Sequence, residues 1–199
     1  MGAAGDPEVL KIGVTGHRIL VEEERIIAGI ERALDLLRDA YGERALVVLS
    51  SLAEGADRLV AEAVLRRPAS RLVAVIPFPL EDYVRDFGEE GSTSRAEFTE
   101  LLKKASEIIE LPANPDRDEG YAQGGDYVVD RCDVLIAVWD GREAQGRGGT
   151  GEMVARARSQ GKPVLIVRAG NRKPGTREPT TLGEEQGRLI VEGLREADA

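Results

Sequence analysis

The sequence predicts a three-layer α/β fold, with a doubly wound, mainly parallel sheet of about six strands and helices on both faces. Three observations predict it. Short apolar runs alternate with longer amphipathic stretches through most of the chain. The short runs, such as VLIAVW at 134–139 and PVLIV at 163–167, are nearly continuous in apolar residues, which is the pattern of strands buried on both faces. The longer stretches carry their apolar residues at helical spacing.

In chain order, Leu10 to Thr15 (LKIGVT) reads as the first strand. Glu22 to Tyr41 reads as a helix with Ile26, Ile30, Ala33, Leu34 and Leu37 on one face and Gly42 as its stop. Ala45 to Ser50 is the second strand, and Glu54 to Arg66 a helix with Leu59, Val60, Ala63 and Val64 inward. Arg71 to Ile76 is the third strand, closed by Pro77. Ser92 to Ala105 is helical with Phe98, Leu101 and Leu102 inward, and Glu107 to Leu111 is the fourth strand. Glu119 to Arg131 is a helix, Val134 to Trp139 the fifth strand, Thr150 to Gln160 a helix and Pro163 to Val167 the sixth strand. Gly170 to Thr181, rich in Gly, Pro and charge, is a loop, and Leu182 to Leu194 is expected as a terminal helix or a frayed end. With residues 1–8 as an N-terminal tail and 170–199 as loop and C-terminal helix, the chain reads as a single Rossmann-like domain.

Composition narrows the functions. The 199 residues, 42% of them hydrophobic, suffice for one sizeable core. A net charge of -9 repels a phosphate backbone, so nucleic acid is not the expected partner. One cysteine, Cys132, excludes an internal disulfide and suits a reducing, cytoplasmic setting. With His17 the lone histidine, no zinc site is expected. Met1 to Pro7 has neither a basic region nor an apolar core, so no signal peptide is expected, and apolar runs of about six residues predict no membrane span.

In this architecture ligands bind outside the carboxyl ends of the strands, so the segments after each strand carry the functional reading. After the first strand, Thr15-Gly16-His17-Arg18 offers a hydroxyl, a sharp turn, an imidazole and a guanidinium. Arg18 suits a phosphate and His17 a base or ribose, against the alternative of a solvated turn. At this first turn the GxGxxG fingerprint is absent, with only Gly13 and Gly16 present, which argues against an ordinary dinucleotide dehydrogenase, and no cofactor is expected. After the second strand, Glu54, Gly55 and Asp57 lie at a helix start, where the carboxylates would accept from ribose hydroxyls or merely favour the helix dipole. After the fifth strand, Gly148-Gly149-Thr150-Gly151 leads into a helix. Exposed amides and the helix N-terminus together make an anion cradle that needs no lysine. Beside a phosphate, Glu152 either turns toward the sugar or caps the helix. Phe78 is read as a core plug rather than a stacking platform, and Tyr121 and Tyr127 as candidate pocket walls. Cys132 lacks a neighbouring histidine and precedes the fifth strand, at the opposite edge of the sheet.

The order GVTGHR, SLAEGADRLVAEAVL, VIPFP and CDVLIAVWDG, then GGTGEMVARARSQGKPVLIV, resembles the SLOG superfamily over residues 10–168. That Rossmann-like group contains the LOG nucleotide phosphoribohydrolases, DprA-type DNA-processing proteins and sensor domains for nucleotide-derived signals. The resemblance implies a nucleotide 5′-phosphate on the glycine turn, with Glu152 at the position of the LOG catalytic carboxylate, and a homodimer through helices flanking the sheet. Two departures are visible. The motif's proline is replaced by the Asp140-to-Arg147 insert. The partner arginine's position falls at Gly124–Gly125, so Arg117 or Arg131 would serve only in another helix register. The expected function is therefore sensor-like binding of a phosphorylated nucleotide or nucleotide-derived small molecule. A LOG-like N-glycosidase using Glu152 and a DprA-like DNA binder are the alternatives.

Overall fold

All six expected strands form, and a seventh joins them. The computed structural model describes residues 9–142 and 147–194, so the N-terminal tail, residues 143–146 of the insert and the last five residues lie outside the described residues. The elements are β1 (Val9–Gly16), α1 (Glu23–Tyr41), β2 (Ala45–Ser50), α2 (Ala56–Leu65), β3 (Arg71–Ile76), α3 (Leu80–Tyr83) and α4 (Thr93–Lys104). They continue with β4 (Glu107–Glu110), α5 (Arg117–Arg131), β5 (Val134–Trp139), α6 (Thr150–Ser159), β6 (Val164–Arg168) and β7 (Leu189–Glu192). The sheet order is β4-β3-β2-β1-β5-β6-β7, parallel except for the antiparallel β6–β7 pair.

Alternation along β5 shows the three layers. Val134, Ile136 and Val138 face the cluster built on Ile26, Ile30 and Leu34 of α1 and on Val60 and Val64 of α2. Leu135, Ala137 and Trp139 face the opposite cluster, with Val129 of α5 and Met153, Val154 and Ala157 of α6. Each fully buried aliphatic side chain of this kind stabilises the fold by roughly 1.5–3 kcal/mol. Helix α5 begins two residues before the expected Glu119, because the Asp116 carboxylate accepts from the Asp118 and Glu119 amides at 3.0 and 3.3 Å and caps the helix. Phe78 is buried as a core plug, edge-on to Tyr83 and Tyr121.

The expected terminal helix at Leu182 to Leu194 is corrected. Gly187 and Gly193 take φ of 79° and 67°, a left-handed conformation that interrupts a helix, and the β-branched pair Ile190-Val191 lies between them. The β6 edge supplies the ladder, with Val167 opposite Leu189 and Val164 opposite Glu192. Among the described residues, no helix is long and apolar enough to cross a membrane.

Candidate ligand-binding cleft

From β1 the chain winds outward through β2, β3 and β4, then returns to place β5 on the other side of β1. Loops leave β1 and β5 in opposite directions there, opening a crevice at the strands' carboxyl ends. A cleft of about 660 Å³ occupies it. Thr15, Gly16, His17, Arg18, Glu54, Asp57, Gly148, Gly149, Thr150 and Gly151 all line this cleft, whereas Gly55 and Glu152 do not.

The β1 turn is tightly built. A Cβ on Gly16 would lie 2.4 Å from Ala56 Cβ and 2.6 Å from the Val138 carbonyl, so this glycine serves the close approach of β1 to β5 and α2. The His17 amide donates to Val138 O at 3.0 Å, and the Asp140 amide donates to His17 Nε2 at 3.1 Å. Burial lowers the His17 pKa, even though the Asp140 carboxylate 3.4 Å away pulls it upward. A neutral ring accepting at Nε2 carries its proton on Nδ1. Arg18 extends into the cleft with its guanidinium 5.1 Å from the centre of the Tyr121 ring. It is reached by solvent through the cleft mouth yet ringed by Tyr83, Tyr121 and Asp57. Asp57 attracts it without forming an ion pair at contact distance.

The β2–α2 turn is an internally closed unit. Ser50 Oγ donates to Asp57 Oδ2 at 2.9 Å and accepts from the Leu52 amide at 3.0 Å, and the amides of Ser51 and Ala53 also bond the Asp57 carboxylate. Burial raises the Asp57 pKa, against the opposing effect of Ser50 and Arg18. Leu52 takes φ of 57°, a costly conformation for a residue with a Cβ, and its carbonyl accepts from the buried Arg58 Nε at 3.2 Å. Gly55 lies under the β1 turn rather than in the cleft: a Cβ there would sit 2.5 Å from His17 O and 2.6 Å from Arg18 O. Ser94 Oγ donates to the Glu54 carboxylate at 2.5 Å, fastening it to α4.

The α6 turn is open by comparison. Gly149 is the N-cap, no side chain caps the helix, and Thr150 and Gly151 start its first turn. These first amides have no acceptor within the helix. Glu152 turns back, so that Gly148 N–H donates to its Oε2 at 2.6 Å and Arg147 Nη1 to its Oε1 at 2.9 Å. Arg147 also grips Glu119 through two bonds of 2.9 and 3.0 Å. This arginine, missed in the sequence because it ends the insert, holds Glu152 outside the cleft lining. Gly124 and Gly125 serve packing, since their Cβ atoms would meet Pro77 Cβ at 3.0 Å and Met153 Sδ at 2.4 Å. Arg117 bonds Asp86 and Arg131 lies over Tyr127, so neither hydrogen-bonds Glu152.

Of the remaining walls Tyr121 was expected from the sequence, whereas Tyr83, Asp86 and the segment after β6 were not. Tyr83 donates to Ser51 O at 3.0 Å, and Tyr121 donates to the Asp86 carboxylate, which also accepts from Arg117. The segment after β6 contributes Asn171, Arg172 and Arg177. Of the two tyrosines expected as walls, Tyr121 lines the cleft, whereas Tyr127 lies against the cluster of Val47, Leu49 and Val128. Cys132 is buried against Gly13, and burial pushes its thiol up to about 11, the state of an inert side chain. Among the described residues no group of three His, Cys, Asp or Glu side chains is arranged to hold a metal ion.

These features define a Rossmann-like α/β protein with a cleft at its topological switch point. The chain is similar to the solved X-ray structure of TM1055, a structural genomics target, at 19% identity and a TM-score of 0.46, over 78% of this chain and 72% of that one. No family model matches the chain. No curated protein is detectably similar in sequence.

Proposed function

We propose that the chain is a sensor-like module that binds a phosphorylated nucleotide or nucleotide-derived ligand without cleaving it. One observation carries this reading: the open first turn of α6 and the guanidinium of Arg18, without an ion-pair partner among the described residues, line the same cleft. The phosphate rests on the amides of Gly149, Thr150 and Gly151, with the Thr150 hydroxyl as a further donor. Sugar and base lie along Thr15 to Arg18. Charge-assisted hydrogen bonds of this kind contribute roughly 1.5–3 kcal/mol each. The cleft volume of about 660 Å³ suits a small molecule of nucleotide size. Resemblance to the SLOG superfamily favours the same ligand class and a homodimer, which sedimentation tests.

The position of Glu152 argues against the N-glycosidase reading. A catalytic carboxylate must reach the anomeric carbon, and this one is turned onto Gly148 and Arg147 outside the cleft. The test is incubation with AMP, other nucleoside monophosphates and NAD, following heat released on binding and free base by chromatography. Binding with intact ligand is expected, and Thr150→Arg or Gly149→Val should abolish thermal stabilisation by the ligand. Release of free base overturns the sensor reading. Stabilisation unchanged in both variants overturns the placement of the phosphate.

A further inference from the structure

The segment after β6 is a built hairpin. Arg172 bridges Pro179 in antiparallel fashion, the Lys173 amide donates to Glu178 O at 2.8 Å and the Thr180 amide to Asn171 O at 2.6 Å. The Thr176 amide closes the turn on Lys173 O at 3.1 Å, beside Gly175 at φ 70°. Its base is pinned by the buried Gln186, whose Oε1 accepts from Gly170 N at 3.0 Å and whose Nε2 donates to Val21 O at 2.8 Å. The hairpin is thereby tied to the segment that follows the β1 turn.

Side chains alternate across a paired hairpin, and here the two faces differ in chemistry. One face carries Lys173 and Glu178, whose ammonium and carboxylate bond each other. The other carries Arg172, Pro174 and Arg177, and all three line the cleft. Neither arginine side chain has an ion-pair or hydrogen-bond partner among the described residues. On this surface Arg66, Arg67, Arg147, Arg156, Arg158 and Arg188 each hold a carboxylate within 2.9 Å, whereas Arg172 and Arg177, like Arg71 and Arg95, hold none among the described residues. With 36 acidic against 27 basic residues, acidic partners are in excess. The cleft's described carboxylates are already engaged: Asp57 by Ser50, Glu54 by Ser94, Asp86 by Tyr121 and Arg117, and Asp140 by the amide and guanidinium of Arg142. Two guanidinium groups on one face, turned to a cleft whose carboxylates among the described residues are all engaged, match a polyvalent anion.

We propose that Arg172 and Arg177 form a second anion subsite, so that the ligand is a nucleotide carrying at least two phosphoryl groups. This rests on the reading that the first phosphate sits on the α6 turn. One phosphoryl group occupies the Gly149-to-Gly151 amides, and the other reaches the hairpin across the cleft.

The experiment compares AMP, ADP and adenosine 3′,5′-bisphosphate, with their guanosine counterparts, by calorimetry on the full chain. At least one doubly phosphorylated probe is expected to bind tenfold or more tightly than its monophosphate. The Arg172→Ala/Arg177→Ala double variant should bring that probe to the monophosphate's affinity and leave the monophosphate unchanged. Both side chains are exposed and unpaired, so an unaltered melting temperature without ligand verifies the fold. Arg172→Lys/Arg177→Lys should recover part of the gain. Equal affinity for one and two phosphoryl groups, or a gain that survives in the double alanine variant, overturns the subsite while monophosphate binding sensitive to Thr150→Arg leaves the nucleotide reading standing. Binding of none of the probes overturns both.

Discussion

Helices α2 and α6 begin at the same edge of the sheet, each with a glycine N-cap and no capping side chain, yet they use the glycine in opposite ways. At α2, Gly55 takes φ of 74° beneath the carbonyls of His17 and Arg18, and the Ala56 amide donates to His17 O at 3.1 Å. At α6, Gly149 has an ordinary extended φ of -76°, and the turn opens on the cleft. A small residue before a helix therefore marks an anion site only where neighbouring chain leaves the first amides unused. One turn serves chain-to-chain approach and the other is free to receive a ligand.

The largest effect that follows is on stability. Gly55→Ala forces a Cβ to within 2.5 Å of a backbone carbonyl in a left-handed conformation and should cost about 3 kcal/mol or more in chemical denaturation. Gly149→Ala, at an ordinary φ, should cost no more than about 1 kcal/mol. Equal costs at the two N-caps would break the contrast between them.

Next in size is Ser50→Ala, which removes the partner of both Asp57 Oδ2 and the Leu52 amide, all three residues being buried. Leaving such groups unpaired should cost about 2 kcal/mol. The same turn sets a pH dependence. Because burial raises the Asp57 pKa above its unfolded value of about 3.9, the carboxyl's contribution is full below that value and is lost as pH rises through the folded one. Wild type should therefore lose stability relative to Asp57→Asn as pH is raised from about 4 toward neutrality. The opposite slope would mean that attraction to Arg18 outweighs burial.

Most of the sheet was legible because β1, β2, β3, β5 and β6 are largely buried and so read as apolar runs, whereas the edge strand β4 is a short, exposed EIIE segment. β7 was not legible: it is an edge strand exposing Ile190 and Val191, and only its pairing with β6 selects strand over helix. Thr15 to Arg18 and Gly148 to Gly151 could be placed along the cleft because position after a strand follows from topology alone. The direction of a carboxylate does not follow from topology. Asp57 faces loop amides because Ser50 sits below it, and Glu152 faces Gly148 because Arg147 ends the insert beside it. The hairpin arginines carried a usable signal, since Lys173-Pro174-Gly175 marks a turn and places Arg172 and Arg177 on one face, but nothing in the spacing aims that face at the cleft.

The smallest effect sharpens the contrast most. Glu152→Ala frees the Gly148 amide and releases Arg147 from one of its two carboxylates. Because the residue bonds an amide just ahead of the helix and places a carboxylate in its first turn, its loss should cost only about 0.5–1 kcal/mol of stability. Nucleotide affinity should hold or rise a few-fold, because a negative charge leaves the neighbourhood of the phosphate and one more amide becomes free. A fall in affinity of tenfold or more, measured by calorimetry with the fold intact, would instead make Glu152 a group that meets the ligand. The α6 turn would then resemble the α2 turn in reverse, its carboxylate leaving the backbone for the ligand on binding, and the separation of sensor from hydrolase would have to be drawn again at this one side chain.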